Sequence, residues 1–135
     1  MRDNAFIDTN VFLYLYSEDE YEKRAVGIAA MKKYDCITST QAINELCNVF
    51  TKKWRLPITE INKALQEIKQ ACNIKLIDMG TVNYALNIHQ EYGYSYYDCL
   101  MLASALMNGS KYILTEDMQD GHIVDGLEIV NIFKS

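Results

Sequence analysis

The chain has 135 residues, half of them hydrophobic, which suits one compact domain over 1–135 whose core needs no disulfide or metal staple. A formal charge of -5 and a pI near 5.0 argue against a general basic platform for nucleic acid, although divalent cations held by acidic side chains would offset much of that charge. The N-terminus lacks a basic segment followed by an apolar one, and no apolar run approaches the roughly 20 residues needed to span a bilayer. No membrane partner is expected, and the expected compartment is the cytoplasm.

Asn4 to Asp8 reads as a short buried strand ending on a carboxylate, and the apolar run from Val11 to Tyr16 continues as a helix. Glu20 to Tyr34 is an amphipathic helix, with Tyr21, Ala25, Ile28, Ala29 and Met31 on its apolar side and acids leading lysines as the macrodipole favours. Cys36 to Ser39 is a second strand. A helix from about Gln41 to Lys53 follows, its buried stripe marked by Ile43, Leu46, Cys47, Phe50 and Trp54. Pro57 punctuates the chain before a helix capped by Thr59, in which Ile61, Leu65, Ile68 and Cys72 recur at helical spacing.

Ile74 to Ile77 reads as a third strand, Thr81 to Tyr92 as a helix closed by Gly93, and Tyr96 to Met107 as a very apolar helix closed by Gly109. Lys111 to Thr115 is a fourth strand, Glu116 to Gly121 a polar turn, and Glu128 to Phe133 a last strand. Strands alternating with helices predict a parallel, mostly buried sheet covered on both faces. The four cysteines, Cys36, Cys47, Cys72 and Cys99, show no C-x-x-C pairing and fall mostly in apolar stretches, as reduced thiols packed in a core would.

Four acids stand out. Asp8 follows a buried strand, and ligands of open α/β sheets bind beyond the carboxyl ends of strands; its plain alternative is a helix cap. Asp98 lies in the first turn of a helix that is otherwise apolar all round, where an unpaired carboxylate needs a cation, donors or water; its alternative is favourable contact with the macrodipole. Asp117 follows the strand Tyr112-Ile113-Leu114 much as Asp8 follows its own, yet a turn acid is the default there. Glu45 falls on the polar side of its helix with Gln41 and Asn48, so pattern alone makes it a solvated side chain, and only its place in an early helical turn points to the crevice. Together, four carboxylates would repel one another unless a divalent metal intervened, and Mg²⁺ or Mn²⁺ held by oxygens suits phosphodiester hydrolysis.

The segments Phe6-Ile7-Asp8-Thr9-Asn10, Glu45 in the third helix, Tyr97-Asp98-Cys99-Leu100-Met101-Leu102-Ala103 and Leu114-Thr115-Glu116-Asp117 together resemble the PIN-domain ribonucleases. Within them the likeness is to the small VapC-like toxins of type II toxin–antitoxin systems of the VapBC kind, and it runs along the whole chain. The resemblance implies a three-layer α/β/α sandwich with a central parallel sheet and endonucleolytic cleavage of RNA dependent on Mg²⁺ or Mn²⁺. It maps the catalytic and metal-binding set onto Asp8, Glu45, Asp98 and Asp117, with Asn10 and Thr115 as polar helpers. Asp120 can share the part of Asp117, since both lie in one turn, whereas Asp125 reads as a loop acid. The resemblance also implies a homodimer and a cognate antitoxin as partner, beside the RNA substrate.

Lys52, Lys53 and Arg55 form the densest basic cluster, with Lys23-Arg24 and Lys32-Lys33 behind it; each is either a phosphate contact or a solvated face. Tyr94, Tyr96 and Tyr97 either stack on unpaired bases or pack around the start of the Asp98 helix. His89 and His122 lack partners at a telling spacing, and Trp54 reads as a core or dimer-edge residue. Two other classes compete with a nuclease. One is a non-catalytic PIN-fold module that binds RNA or protein; the other, a phosphotransferase of the Asp-x-Asp type, is disfavoured by Asn10 in place of the second aspartate and by the lack of a glycine-rich phosphate loop.

Overall fold

The computed structural model describes residues 2–134. Its centre is a six-stranded sheet built from β1 (Asn4–Ile7), β2 (Asp35–Ser39), β3 (Cys72–Lys75), β4 (Tyr112–Leu114), β5 (Ile123–Val124) and β6 (Leu127–Val130), in the order β3-β2-β1-β4-β6-β5. All neighbours are parallel except β5, which folds back on β6 as an antiparallel edge. The helices are α1 (Thr9–Tyr16), α2 (Tyr21–Lys33), α3 (Thr40–Asn48), α4 (Ile58–Ala71), α5 (Met79–Tyr92) and α6 (Tyr96–Met107).

Strand alternation divides the core in two. Phe6, Ile37, Ile113 and Ile129 point to the side covered by α5 and α6, while Ala5, Ile7, Cys36 and Leu114 point to the side covered by α1 to α4. Both faces of the central strands are therefore apolar, as covering layers on each side require. The three-layer α/β/α expectation holds, with a mixed edge where the sequence reading had a single last strand. Helix α6 buries Cys99 through Ala105 without a break, matching its uniformly apolar composition.

Several boundaries differ from the sequence reading for identifiable reasons. Cys72, placed there on a helix, instead starts β3, and Pro57 rather than Thr59 precedes the first turn of α4. Asp78 caps α5 by accepting from the Thr81 N–H at 3.0 Å, so that helix begins two residues before Thr81. The helix from Thr40 gives way at Val49–Lys53 to a π-helical turn, which lets Phe50 stay buried and carries Trp54 against its ring at 5.5 Å. On α2 only Gly27 and Ala30 are buried, and Tyr21 and Ile28 are exposed. Small size, not hydropathy, sets its inner face, since a Cβ on Gly27 would stand 3.1 Å from Leu15 Cδ2 of α1.

Candidate active site

The sheet order reverses between β1 and β4. Crossovers from β1 lead outward through β2 to β3, and the chain then returns to place β4 on the other flank of β1. A crevice opens beyond the carboxyl ends of such a pair, and Asp8 and Thr115 are the residues that immediately follow the two strands. The backbone seals this junction: the Asp8 N–H donates to the Leu114 carbonyl at 3.1 Å, and the Thr115 N–H to the Val130 carbonyl at 3.0 Å.

Asp8 is only 4% exposed. One of its oxygens accepts from the Thr9 N–H and the other from the Thr115 hydroxyl, both at 2.7 Å. It is the N-cap of α1, the cap alternative of the sequence reading, and it stands directly after β1 at the switch point. Burial pushes its carboxyl up to about 6; the Thr115 and Thr9 hydrogen bonds oppose that rise, and the charges of Asp117 and Asp98 add to it.

Glu45 stands on the second turn of α3, which Ser39 caps by accepting from the Ala42 N–H. It is half-buried rather than solvated, and Thr9 donates its hydroxyl to Glu45 Oε2 at 3.2 Å. Desolvation first, then the charge of Asp8, raises its carboxyl to about 7, with Asp98 and Asp117 contributing further. Thr9 thus ties the cap of α1 to Ala42 and Glu45 of α3, a role that the sequence reading leaves unassigned although Thr9 adjoins Asp8.

Asp98 is half-buried in the first turn of α6, behind the Ser95 cap. Desolvation raises its pKa, Ser95 opposes this, and the charge of Asp117 adds to the rise. Asp117 is exposed; its N–H donates to Thr115 Oγ1 at 3.2 Å and its carboxylate accepts from Asn10 Nδ2 at 2.6 Å. Asn10 and Thr115 therefore each hold one acid of the quartet. Asp120 does not join them: its oxygens accept from the Asn131 N–H at 2.8 Å and pair with Lys134 at 3.6 Å, which commits it to the C-terminal segment.

The charges of Asp98 and Asp117 act on Asp8, that of Asp117 on Asp98, and those of Asp8, Asp98 and Asp117 on Glu45, so the four carboxylates share one field, and among the described residues none of them pairs with a lysine or arginine. Every polar side-chain atom facing the cluster that we have named is oxygen or amide, the donor chemistry of a hard cation. Among the described residues, however, no three His, Cys, Asp or Glu side chains form a ready-made cage. An ion that keeps several waters and takes only one or two carboxylates directly fits such an open set better than one needing full protein coordination.

The remaining candidates sort clearly. Tyr94 and Tyr96 pack against the core and Tyr97 is 57% exposed. Tyr94 shares a 2.6 Å hydrogen bond with His122, and its carbonyl meets His89, so both histidines have structural partners. Lys52, Lys53 and Arg55 are exposed on and just after the π-helical turn. Lys23 pairs with Glu116 at 3.3 Å beside the Tyr14 hydroxyl, which also bonds Glu116, so this lysine is occupied one residue away from Asp117.

A family model described as the PIN domain matches residues 5–119. Among solved structures, a chain of a toxin–antitoxin complex from Klebsiella pneumoniae superposes with a TM-score of 0.72 at 20% identity, covering 97% of this chain and 99% of its own. VapBC2 from Rickettsia felis, bound to a DNA fragment from its promoter, gives 0.64 at 14% identity with 93% and 96% covered. VapC20 of Mycobacterium tuberculosis, a toxin that cleaves the sarcin–ricin loop, gives 0.64 at 15% identity with 81% and 86% covered. No curated protein matches the sequence.

Proposed function

The chain belongs to the PIN domain family, and on that footing we propose that it is a metal-dependent endoribonuclease, the toxin of a toxin–antitoxin pair. The observation that carries this reading is the meeting of Asp8, Glu45, Asp98 and Asp117 in one field at the β1–β4 switch point, with no basic side chain paired to them among the described residues. Holding four acids there uncompensated is unfavourable in the free protein and becomes favourable when a divalent cation binds. The proposed cofactor is Mg²⁺ or Mn²⁺, held among Asp8, Asp98 and Asp117 by one or two carboxylates directly and by the others through retained waters, with Glu45 as a further ligand or as the group that orients the attacking water. When bound, such an ion lowers the pKa of a coordinated water and braces a phosphoryl oxygen.

The chain's own groups supply the rest. Thr9 N–H and the Thr115 hydroxyl fix both Asp8 oxygens, so this carboxylate cannot swing away as charge builds on the phosphate. Glu45, with a carboxyl near neutrality, is suited to receive a proton from water at physiological pH. Asn10 holds Asp117 at the rim, on the exposed side where a single-stranded substrate enters.

Purified protein is expected to cut RNA with Mg²⁺ or Mn²⁺ and to stop when chelator is added. Asp8→Asn and Asp98→Asn should each lower the rate at least about 100-fold, the scale expected when a charged group of the reaction is lost. Parent-level cleavage by Asp8→Asn would overturn the assignment, and no cleavage of any RNA by a folded parent would favour the non-catalytic binding module. A cognate antitoxin is proposed because solved neighbours include toxin–antitoxin complexes; co-expression with the product of an adjacent reading frame should suppress the activity. Homodimer formation and a cytoplasmic location are part of the same proposal, and among the described residues no helix is long and apolar enough to cross a membrane.

A further inference from the structure

Away from the acidic cluster, one methionine and two cysteines are brought together on β2, β3 and the end of α2. The parallel register of β2 and β3 sets Cys36 directly opposite Cys72, and both side chains enter the core beneath α1 to α4. Met31, at the end of α2, brings its Sδ to 3.7 Å from Cys36 Sγ. The cysteines are 6% and 7% exposed, and β3 is the edge strand of the sheet, so both lie buried close to its edge.

We propose that Met31, Cys36 and Cys72 form a binding site for a soft monovalent cation of the Cu(I) class. Thiolate and thioether sulfurs select Cu(I) over harder ions. A metal–sulfur bond of about 2.3 Å puts two ligands of a trigonal site about 4 Å apart, close to the observed spacing of Met31 and Cys36. Zinc is disfavoured because it wants four ligands, and no further His, Cys, Asp or Glu completes a set among the described residues. In the free protein the Cys36 thiol reaches the Met31 and Tyr34 carbonyls at 3.6 and 3.5 Å. Binding replaces the two S–H bonds by two metal–sulfur bonds and releases two protons, with no change in oxidation state. The net negative charge left on the site is faced by the Arg2 guanidinium, whose charge favours the Cys36 thiolate. Asp35, paired with Arg2 at 2.8 Å, opposes it.

The test is an anaerobic titration of the reduced full chain with Cu(I) against bicinchoninate as competing chelator. One equivalent is expected, with release of two protons, a rise in Tm, and no displacement by Zn²⁺. Cys36→Ser and Cys72→Ser should each weaken binding at least about 100-fold, and the Cys47→Ser/Cys99→Ser double variant should bind as the parent does. X-ray absorption should count three sulfur neighbours in the parent and two in Met31→Leu, a variant of similar volume that keeps the readout open if a cysteine variant does not fold. Absence of binding by the parent, undiminished binding by Cys36→Ser, or loss of binding in the Cys47/Cys99 variant would each overturn the proposal. None of these outcomes depends on RNA cleavage.

Discussion

Asp8 concentrates the trade between stability and chemistry. Its folded pKa of about 6 lies above the ordinary 3.8, so the folded protein keeps a proton that the unfolded chain releases as pH rises through that interval. The folded state then binds more protons than the unfolded one, and stability falls with rising pH from about 4 to 6; Glu45, at about 7, extends the fall toward neutrality. For Asp8 the cost is of the order of 3 kcal/mol, and for half-exposed Glu45 solvent screening leaves less. Asp8→Asn is therefore expected to lose activity and to flatten the dependence of stability on pH, while its amide NH₂, set against one of the two donors that Asp8 accepts from, offsets the gain at pH 7.5. Urea denaturation from pH 5 to 8 checks this: the parent should weaken along the series and the variant should be flatter, and a parent that gains stability toward pH 7 would contradict it. Thr9→Val removes the hydroxyl that favours ionised Glu45, so the acid limb of the pH–rate profile should move to higher pH. An unmoved limb would leave Glu45 without the proposed role.

At the scale of elements, what was legible in the sequence followed from burial. The strands read as ending at Asp8 and Thr115 end at Ile7 and Leu114, one residue earlier, because a strand covered on both faces is apolar until it leaves the sheet. What was not legible depended on shape and neighbours. Gly27 and Ala30 are the buried residues of α2, and at Gly27 α1 approaches too closely for a larger side chain, which no hydropathy pattern records. The β5–β6 hairpin did carry a signal: Asp125-Gly126 both adopt positive φ, 50° and 90°, the Asp-Gly turn that joins two strands, but β5 is only two residues long. Glu45 escaped the helical wheel because the wheel cannot know that α1 lays Thr9 against it. The same dependence yields a prediction for α3. Ser39→Ala deletes the cap acceptor for the Ala42 N–H, at a cost of about 1 kcal/mol, and loosens the turn that presents Glu45. Denaturation should report that loss with a rate reduced roughly severalfold at 25 °C, where the variant is still folded. A rate equal to the parent's would show that α3 is held by packing alone.

The whole molecule joins residues 107 apart, Asp8 with Thr115 and Asn10 with Asp117, by seating β4 beside β1. That topology gathers like charges which local structure would never bring together, so the tertiary fold bears their repulsion, and any ligand that relieves it must stabilise the entire chain. A divalent ion binding only the folded state contributes RT ln(1 + [L]/Kd), about 2.7 kcal/mol at 100 times Kd, which for a chain of this length corresponds to a Tm increase of roughly 10 °C. Protons compete for the same oxygens: with Asp8 near 6 and Glu45 near 7, the increase should be large at pH 7.5 and small at pH 5.5. Mg²⁺ or Mn²⁺ added to chelator-treated protein should raise Tm at the higher pH, with reversal by further chelator, and Asp98→Asn should lose most of the effect. A rise that is equal at both pH values, or undiminished in Asp98→Asn, would mean that the ion stabilises the protein from somewhere other than the crevice between β1 and β4.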